Sequence, residues 1–419
     1  MTISKIVYNV AMGAMAAGVR VGVLFSPKTK QFVEGRKGLL DNLRKEFSGN
    51  ESPLAWFHCA SLGEFEQARP VMEMFRKEYP DYKIVLTFFS PSGYEVRKNY
   101  EGADYICYLP LDSGSNAKAF LDAINPSIVF FVKYEFWYHY FSEIKRRNIP
   151  MILFSAIFRK SQPFFKAYGS LHREMLDCIT KIFVQDSDSI ALLKKIGKTE
   201  AQEAGDTRFD RVSAVCAEAK RVPLVESFKG DSRLMVIGSS WLSDMKVLYR
   251  LINQEYENLK FVIAPHNLKE AEMQTMEKSI RRRTIRFSEA DSNSVRRSQV
   301  MIIDNFGMLS SIYRYADFSY IGGSFNKGLH NTLEAATFGA PIFFGNDETN
   351  AKFKEAKALV ACGGAFEIAD SDELKKKFDE VFEDEKAREE AATASADYVA
   401  QNTGASEMII DYTRKLLAR

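Results

Sequence analysis

Two stretches of this chain combine residue types at spacings suited to group transfer. The first is His58-Cys59-Ala60-Ser61-Leu62-Gly63-Glu64, where an apolar run ends and a helical pattern begins. Glu64 falls in the first turn of that helix, where the macrodipole favours a carboxylate, and a carboxylate there can take a proton from a hydroxyl. Ser61 and Gly63 form the turn before it, and glycine lets a backbone approach a ligand closely. A capping acid with no chemical role fits the same spacing. The second stretch runs from Ile321 through Gly322, Gly323, Ser324 and Gly328 to His330, Asn331 and Glu334. Backbone N–H groups of such a loop, with the helix that opens near Asn331, suit a phosphate. Glu334 is placed to accept hydrogen bonds from the vicinal hydroxyls of a ribose. This is neither a G-x-G-x-x-G nor a Walker A loop, and a glycine-rich turn before a capped helix is the plain alternative.

Smaller loops add to these. Gly238-Ser239-Ser240-Trp241 and Ala264-Pro265-His266-Asn267 each follow a strand-like run, and each also reads as a capped helix start. In Lys133-Tyr134-Glu135-Phe136-Trp137, Glu135 lies among aromatics as either a helix-start acid or a sugar contact. No G-x-S-x-G elbow is present, and the five histidines lack metal-ligand spacing, so neither a serine hydrolase nor a metal site is expected.

The elements that must position these loops alternate between strand and helix, the pattern of α/β architecture. Strands are expected at Leu54–His58, Lys83–Phe88, Tyr105–Leu109, Ile128–Val132, Met151–Ser155 and Lys181–Val184. A second series follows at Leu234–Gly238, Lys260–Ala264, Val300–Ile303, Phe318–Ile321 and Pro341–Phe344. The polar stretch from Val212 to Asp231 reads as a linker, so two doubly wound domains are expected. In such folds ligands sit beyond the carboxyl ends of strands, where all these loops fall.

With 419 residues, 46% of them hydrophobic, the chain has material for more than one core. Its 57 Lys and Arg against 55 Asp and Glu argue against a nucleic-acid partner recognised through bulk charge. The five scattered cysteines read as free thiols. The N-terminus departs from the average. Ile6 to Val19 are uncharged, and eight cations against three anions surround them in the first fifty residues. An apolar run with a basic collar suits an anionic leaflet with the cations on the cytoplasmic side. At about 1.5 Å per residue the run is short for an upright span, which predicts shallow or tilted insertion. A cleaved signal peptide and a buried N-terminal helix are the other readings. As an anchor, the segment is expected to be removable without loss of the catalytic body.

Four stretches together resemble the 3-deoxy-D-manno-octulosonic acid (Kdo) transferases of lipopolysaccharide synthesis. They are the HCASLGE turn, Tyr108 to Asp112 (YLPLD), Ala204 to Asp210 (AGDTRFD), and IGGSFNKGLHNTLE. The resemblance implies a GT-B fold, two Rossmann-like domains facing across a cleft, with an N-terminal membrane-associating helix. It implies an anchoring segment at 1–30, an acceptor-binding domain at 31–212, a donor-binding domain at 213–395 and a helical tail at 396–419. The implied reaction is inverting transfer of Kdo from CMP-Kdo to a lipid A precursor, lipid IVA, at the cytoplasmic face of the inner membrane, with no cofactor. Glu64 would be the general base. Gly238, Ser239, Ser240, Trp241, Pro265, His266, Gly323, Ser324, Asn331 and Glu334 would bind the donor, and Ser61, Gly63, Glu135 and Arg208 the substrate. The family's Arg-His after the proline reads His266-Asn267 here, so a cationic contact is lost or moved. The runners-up are another GT-B nucleotide-sugar transferase or epimerase, or an inactive membrane-peripheral sugar- or lipid-binding protein.

Overall fold

A computed structural model describes residues 3–325 and 327–418. The chain forms two compact units, residues 1–211 with 403–419, and residues 212–402. The first unit carries seven strands: β1 (Leu54–Cys59), β2 (Lys83–Phe88), β3 (Tyr105–Tyr108), β4 (Ile128–Val132), β5 (Met151–Ala156), β6 (Lys181–Val184) and β7 (Gln202–Glu203). The second carries β8 (Arg233–Ser240), β9 (Leu259–Pro265), β10 (Thr284–Arg286), β11 (Val300–Ile302), β12 (Phe318–Ile321), β13 (Ile342–Gly345) and β14 (Ala365–Ile368).

Both sheets are parallel, in the orders β3-β2-β1-β4-β5-β6-β7 and β10-β11-β9-β8-β12-β13-β14. Helices cover both faces of such a sheet, so central strands are apolar throughout. Every residue of β1 is buried, Trp56 and Val85 packing on one face and Phe57 and Phe130 on the other. The strands with no counterpart in the sequence reading are β7, β10 and β14. They are short and lie at or next to sheet edges, β7 and β10 without a buried residue, so no continuous apolar run marks them.

The expected linker is largely helical. Arg208–Ala217 and Pro223–Lys229 are helices, and Val212, Cys216, Val225 and Phe228 are buried at helical spacing. The expected boundary at 395 falls inside the helix Glu385–Gln401, which buries Ala391, Ser395 and Val399 in the second unit. The chain then returns to the first unit. Asp210 accepts bonds from the N–H groups of Gly404 (2.6 Å) and Ser406 (2.7 Å), opening the helix Ala405–Leu417. Ile409 and Ile410 on it are fully buried beside Phe57 and Phe183, each contributing about 1.5–3 kcal/mol. The expected tail is therefore core.

The N-terminal helix Ile3–Gly22 buries none of its described residues. Ile3, Ile6, Val7, Val10 and Val21 point outward, Ile3 being 81% and Val10 67% exposed, while Lys5, Tyr8 and Asn9 face the protein together with the half-buried Met12, Met15, Ala16 and Val19. A soluble amphipathic helix turns its whole apolar stripe to the core, whereas this one leaves its largest aliphatic side chains in the first two turns outside. The buried-helix reading is thus set aside. No single helix among the described residues is long and apolar enough to cross a membrane. Ile3–Gly22 and Pro27–Glu34 pass that test only as a pair, bent by 119°.

Candidate active site

The winding changes sides between β1 and β4 in the first sheet and between β8 and β12 in the second, where β10 and β11 are also exchanged at the edge. A crevice opens at such a switch point because the two crossovers leave in opposite directions. The carboxyl ends of these four strands lead into Ser61–Glu64, Lys133–Trp137, Ser239–Trp241 and Gly322–Ser324. The chain passes through left-handed backbone at Lys133 (φ 66°) and Ser239 (φ 52°), which costs about 1–2 kcal/mol each without glycine. Among the described residues the other non-glycine positive φ values fall at Asn125, Asn148 and Asn258, in turns ahead of strands, and at Ser155 in β5.

In the first unit the helix Leu62–Glu78 begins directly after the β1 turn. The Glu64 carboxylate reaches back to the Ser61 N–H (2.9 Å) and hydroxyl (3.2 Å). It is a capping acid by geometry, yet burial first, then the nearby Glu135 charge, push its pKa from 4.5 up to about 7. Lys133 and the Ser61 bonds work in the opposite direction. A carboxyl group poised there exchanges protons at neutral pH, as a general base must. Gly63 departs from expectation. It lies inside the first helical turn without positive φ, and only Ser61 Oγ, at 4.0 Å, comes near where a Cβ would stand. It does not turn the chain; it leaves open ground beside Glu64.

Glu135 is held on a polar chain that sequence reasoning missed. Trp137 Nε1 donates to Glu135 Oε2 (2.8 Å), and His58 Nε2 lies 3.5 Å from the same oxygen. His58 is fully buried opposite Thr87 in the β1–β2 register, with Nδ1 2.8 Å from Thr87 Oγ1. Trp56 Nε1 also donates to Thr87 Oγ1 (2.8 Å). The Thr87 hydroxyl also reaches the Phe57 carbonyl oxygen (3.4 Å), so which His58 nitrogen carries the proton follows from which of the two acceptors takes the Thr87 proton. A histidine two residues after a buried tryptophan on a central strand was the available signal. Arg208 is engaged elsewhere. Its Nε donates to Asp206 Oδ2 (2.9 Å), and Asp206 Oδ1 accepts from Gln67 Nε2 (2.9 Å) on the Glu64 helix.

In the second unit one buried acid joins two of the loops. Asp244, three residues after Trp241, accepts from the N–H groups of Trp241 (2.8 Å) and Gly323 (2.9 Å) and from the Tyr320 hydroxyl (3.2 Å). Burial raises its pKa against these bonds. The spacing matches Ser61 to Glu64, so the same reading applied to Trp241 would have found it. Gly323 is required: its φ is +91° and a Cβ would stand 2.3 Å from the Gly328 carbonyl oxygen. Trp241, His266 and His330 form a ring stack with centroids 4.3 and 4.5 Å apart, and Trp241 Nε1 donates to His330 Nε2 (3.2 Å). Burial and the adjacent His266 push the His330 pKa down to about 4, so its imidazole is neutral at pH 7. Lys327 lies 5.3 Å over the Trp241 ring. Asn326, in the same loop, is outside the described residues.

Several expected donor contacts need correction. The Ser324 side chain is fully buried, donating to the Ile321 carbonyl (3.4 Å) and accepting from the Gly345 N–H (2.8 Å), so it ties β12 to β13. Ser240 and Pro265 are likewise buried, and the Ser240 carbonyl accepts from the His266 N–H (2.9 Å). The Ser240 hydroxyl, unlike that of Ser324, is buried without a hydrogen-bond partner among the described residues. Gly238, the partner of Ile321 in register, is also interior. His266 and Asn331 are exposed and Glu334 half-buried. Asn331 accepts from the Leu333 N–H (3.1 Å) and donates to Glu334 (3.2 Å), starting the short helix Leu333–Thr337.

Two parallel doubly wound sheets with polar loops at their switch points define a GT-B-like fold. Solved structures agree. The UDP-GlcNAc 2-epimerase of Neisseria meningitidis bound to UDP-GlcNAc matches with a TM-score of 0.59 at 18% identity, over 86% of this chain and 99% of that one. A glycosyltransferase from Rickettsia africae matches with a TM-score of 0.55 at 12% identity, over 88% and 99%. At these identities the likeness is one of fold alone. Residues 33–211 match the sequence model of the family described as 3-Deoxy-D-manno-octulosonic-acid transferase (kdotransferase). Proteins named 3-deoxy-D-manno-octulosonic acid transferase are similar along most of their length. That of Haemophilus influenzae is 25% identical over 94% of this chain and 93% of its own, and that of Aquifex aeolicus 27% identical over 80% and 88%. The chain is thus similar to Kdo transferases along nearly its whole length, and it is a glycosyltransferase.

Proposed function

We propose that this enzyme transfers Kdo from CMP-Kdo to a hydroxyl of a lipid A precursor, lipid IVA, with inversion at the anomeric carbon. The observation that carries the reading is Glu64, a carboxyl group brought to about pH 7 at the β1 switch point of a Kdo transferase domain. Ionised Glu64 accepts the proton of the acceptor hydroxyl as its oxygen attacks the anomeric carbon. The bond to the CMP phosphate breaks with its electron pair, and the single displacement inverts the centre. The loop backbone after Gly323, whose own N–H is held by Asp244, and the helix start bonded by Asn331 stabilise the leaving phosphate, and Glu334 accepts from the ribose hydroxyls. Glu135, oriented by Trp137 and His58, contacts the acceptor sugar.

The enzyme works at the cytoplasmic face of the inner membrane. The outward apolar residues of Ile3–Gly22, with Arg20, Lys28 and Lys30 nearby, support shallow attachment to an anionic leaflet. The test is incubation of the purified protein with CMP-Kdo and the tetraacylated precursor, read by mass spectrometry of the lipid. Addition of one or more Kdo residues supports the proposal. An unmodified lipid, with CMP-Kdo consumed only by hydrolysis or not at all, overturns it.

A further inference from the structure

The YLPLD run ends at Asp112, a buried acid to which the reaction assigns no role. Its surroundings explain it. The helix Tyr138–Arg146 starts immediately after the Glu135–Trp137 loop, and its N-cap residue, Trp137, supplies no capping side-chain bond. The first N–H groups of a helix have no partner within it and need one from outside. Asp112 provides two: Oδ2 accepts from the His139 N–H and Oδ1 from the Tyr140 N–H, both at 3.1 Å. The third comes from the N-terminal helix, whose Tyr8 hydroxyl oxygen accepts from the Tyr138 N–H (3.2 Å). The Tyr8 hydroxyl proton goes to Asp112 Oδ2 at 2.6 Å.

Neighbouring residues of the same helix face support this junction. Lys5 pairs with Glu174 (2.8 Å) and lies 5.1 Å over the Tyr138 ring. Asn9 Oδ1 is 2.7 Å from His139 Nε2, and the Tyr8 ring meets the edge of Tyr138 at 5.8 Å. The helix that shows Ile3, Ile6, Val7 and Val10 to solvent therefore uses Lys5, Tyr8 and Asn9 to close the start of another helix. That second helix ends the loop bearing Glu135 and Trp137.

We propose that Tyr8 and Asp112 are positioning residues for the acceptor loop, so that the N-terminal helix is part of the active-site scaffold as well as an attachment segment. The assignment of the loop to the acceptor rests on the function proposed above. The latch itself rests on the hydrogen bonds. Removing the segment as a detachable anchor also removes the acceptor and donor that complete the helix start at Tyr138.

The experiment compares full-length wild type, Tyr8→Phe, Asp112→Asn and Val10→Ser. Tyr8→Phe keeps the ring and deletes only the hydroxyl, so folding is preserved. Hydrogen exchange of the amides at 138–140 should accelerate in Tyr8→Phe, about tenfold at Tyr138, the scale of one lost hydrogen bond to a neutral group. With detergent-dispersed lipid acceptor, its KM should rise about tenfold while the KM for CMP-Kdo and kcat stay within about twofold. Asp112→Asn should act in the same direction. Val10→Ser, on the outward face, should reduce flotation with anionic vesicles and leave exchange at 138–140 and acceptor KM unchanged. Unchanged exchange and acceptor KM in Tyr8→Phe would overturn the proposal, as would a parallel change in both substrates' KM values. If wild type shows no Kdo transfer, the function reading fails, and the exchange measurement alone still decides the latch.

Discussion

Replacing Glu64 by glutamine should abolish most turnover and yet stabilise the first unit, with a stabilisation that grows from acid to alkaline pH. The folded-state pKa of about 7 lies above the ordinary 4.5, so the folded protein holds a proton that the unfolded chain has released. Stability from this group is full below the unfolded value and is lost as pH rises through the folded one. At 1.36 kcal/mol per pH unit, ionising Glu64 costs the fold about 3 kcal/mol at pH 8 and about 1 kcal/mol at pH 5. Glutamine keeps an oxygen to accept from the Ser61 N–H, so the cap survives while the charge goes. Glu64→Gln should therefore gain about 2 kcal/mol more over wild type at pH 8 than at pH 5. The assay is urea denaturation of both proteins at the two pH values, followed by fluorescence of Trp56 and Trp137 in the first unit. A stability difference that does not change between pH 5 and pH 8 would refute the reasoning, because it would place the Glu64 pKa at its ordinary value.

Turnover of Glu64→Gln should fall by about 10²–10⁴-fold, the scale of a lost general base, with CMP affinity unchanged by calorimetry. In wild type the rate should climb with pH along a limb centred near 7. In Glu135→Gln that limb should move to lower pH, because a negative charge that holds the Glu64 proton is gone. Glu334→Ala should weaken CMP binding by about 1–3 kcal/mol, and unaltered calorimetric affinity would exclude the ribose contact. Asp244→Ala leaves the Trp241 and Gly323 N–H groups without their acceptor and should cost the second unit about 2–4 kcal/mol, seen as a lowered denaturation midpoint. Vesicle flotation of the full chain should weaken as salt rises and persist in part at high salt, since each basic residue near the surface contributes about 1 kcal/mol and the apolar face is not screened.

The sequence by itself determined most central strands, because buried parallel strands are apolar along their whole length and turn residues bound them. β2, β4, β6 and β12 lie where the apolar runs put them. It also brought out Glu64, through a carboxylate at a strand-to-helix turn, and the glycine-rich loop after β12. What it did not contain was the lateral order of strands, which crossovers decide over tens of residues. Only that order brings the Lys133–Trp137 loop beside the Ser61–Glu64 turn, and the Gly322–Ser324 loop beside Ser239–Trp241. Burial was equally invisible locally. Ser240 and Ser324 look like ligand contacts in a loop sequence and prove to be interior, whereas Asp244, His58 and Asp112 look ordinary and are enclosed by partners 20 or more residues away. The N-terminal segment shows the limit most plainly. Its composition describes a helix with apolar residues and a basic collar, but whether Tyr8 faces a lipid or the start of another helix depends on Asp112, 104 residues further on. Periodicity is a property of neighbours in the chain; partnership across such a distance is a property of the fold.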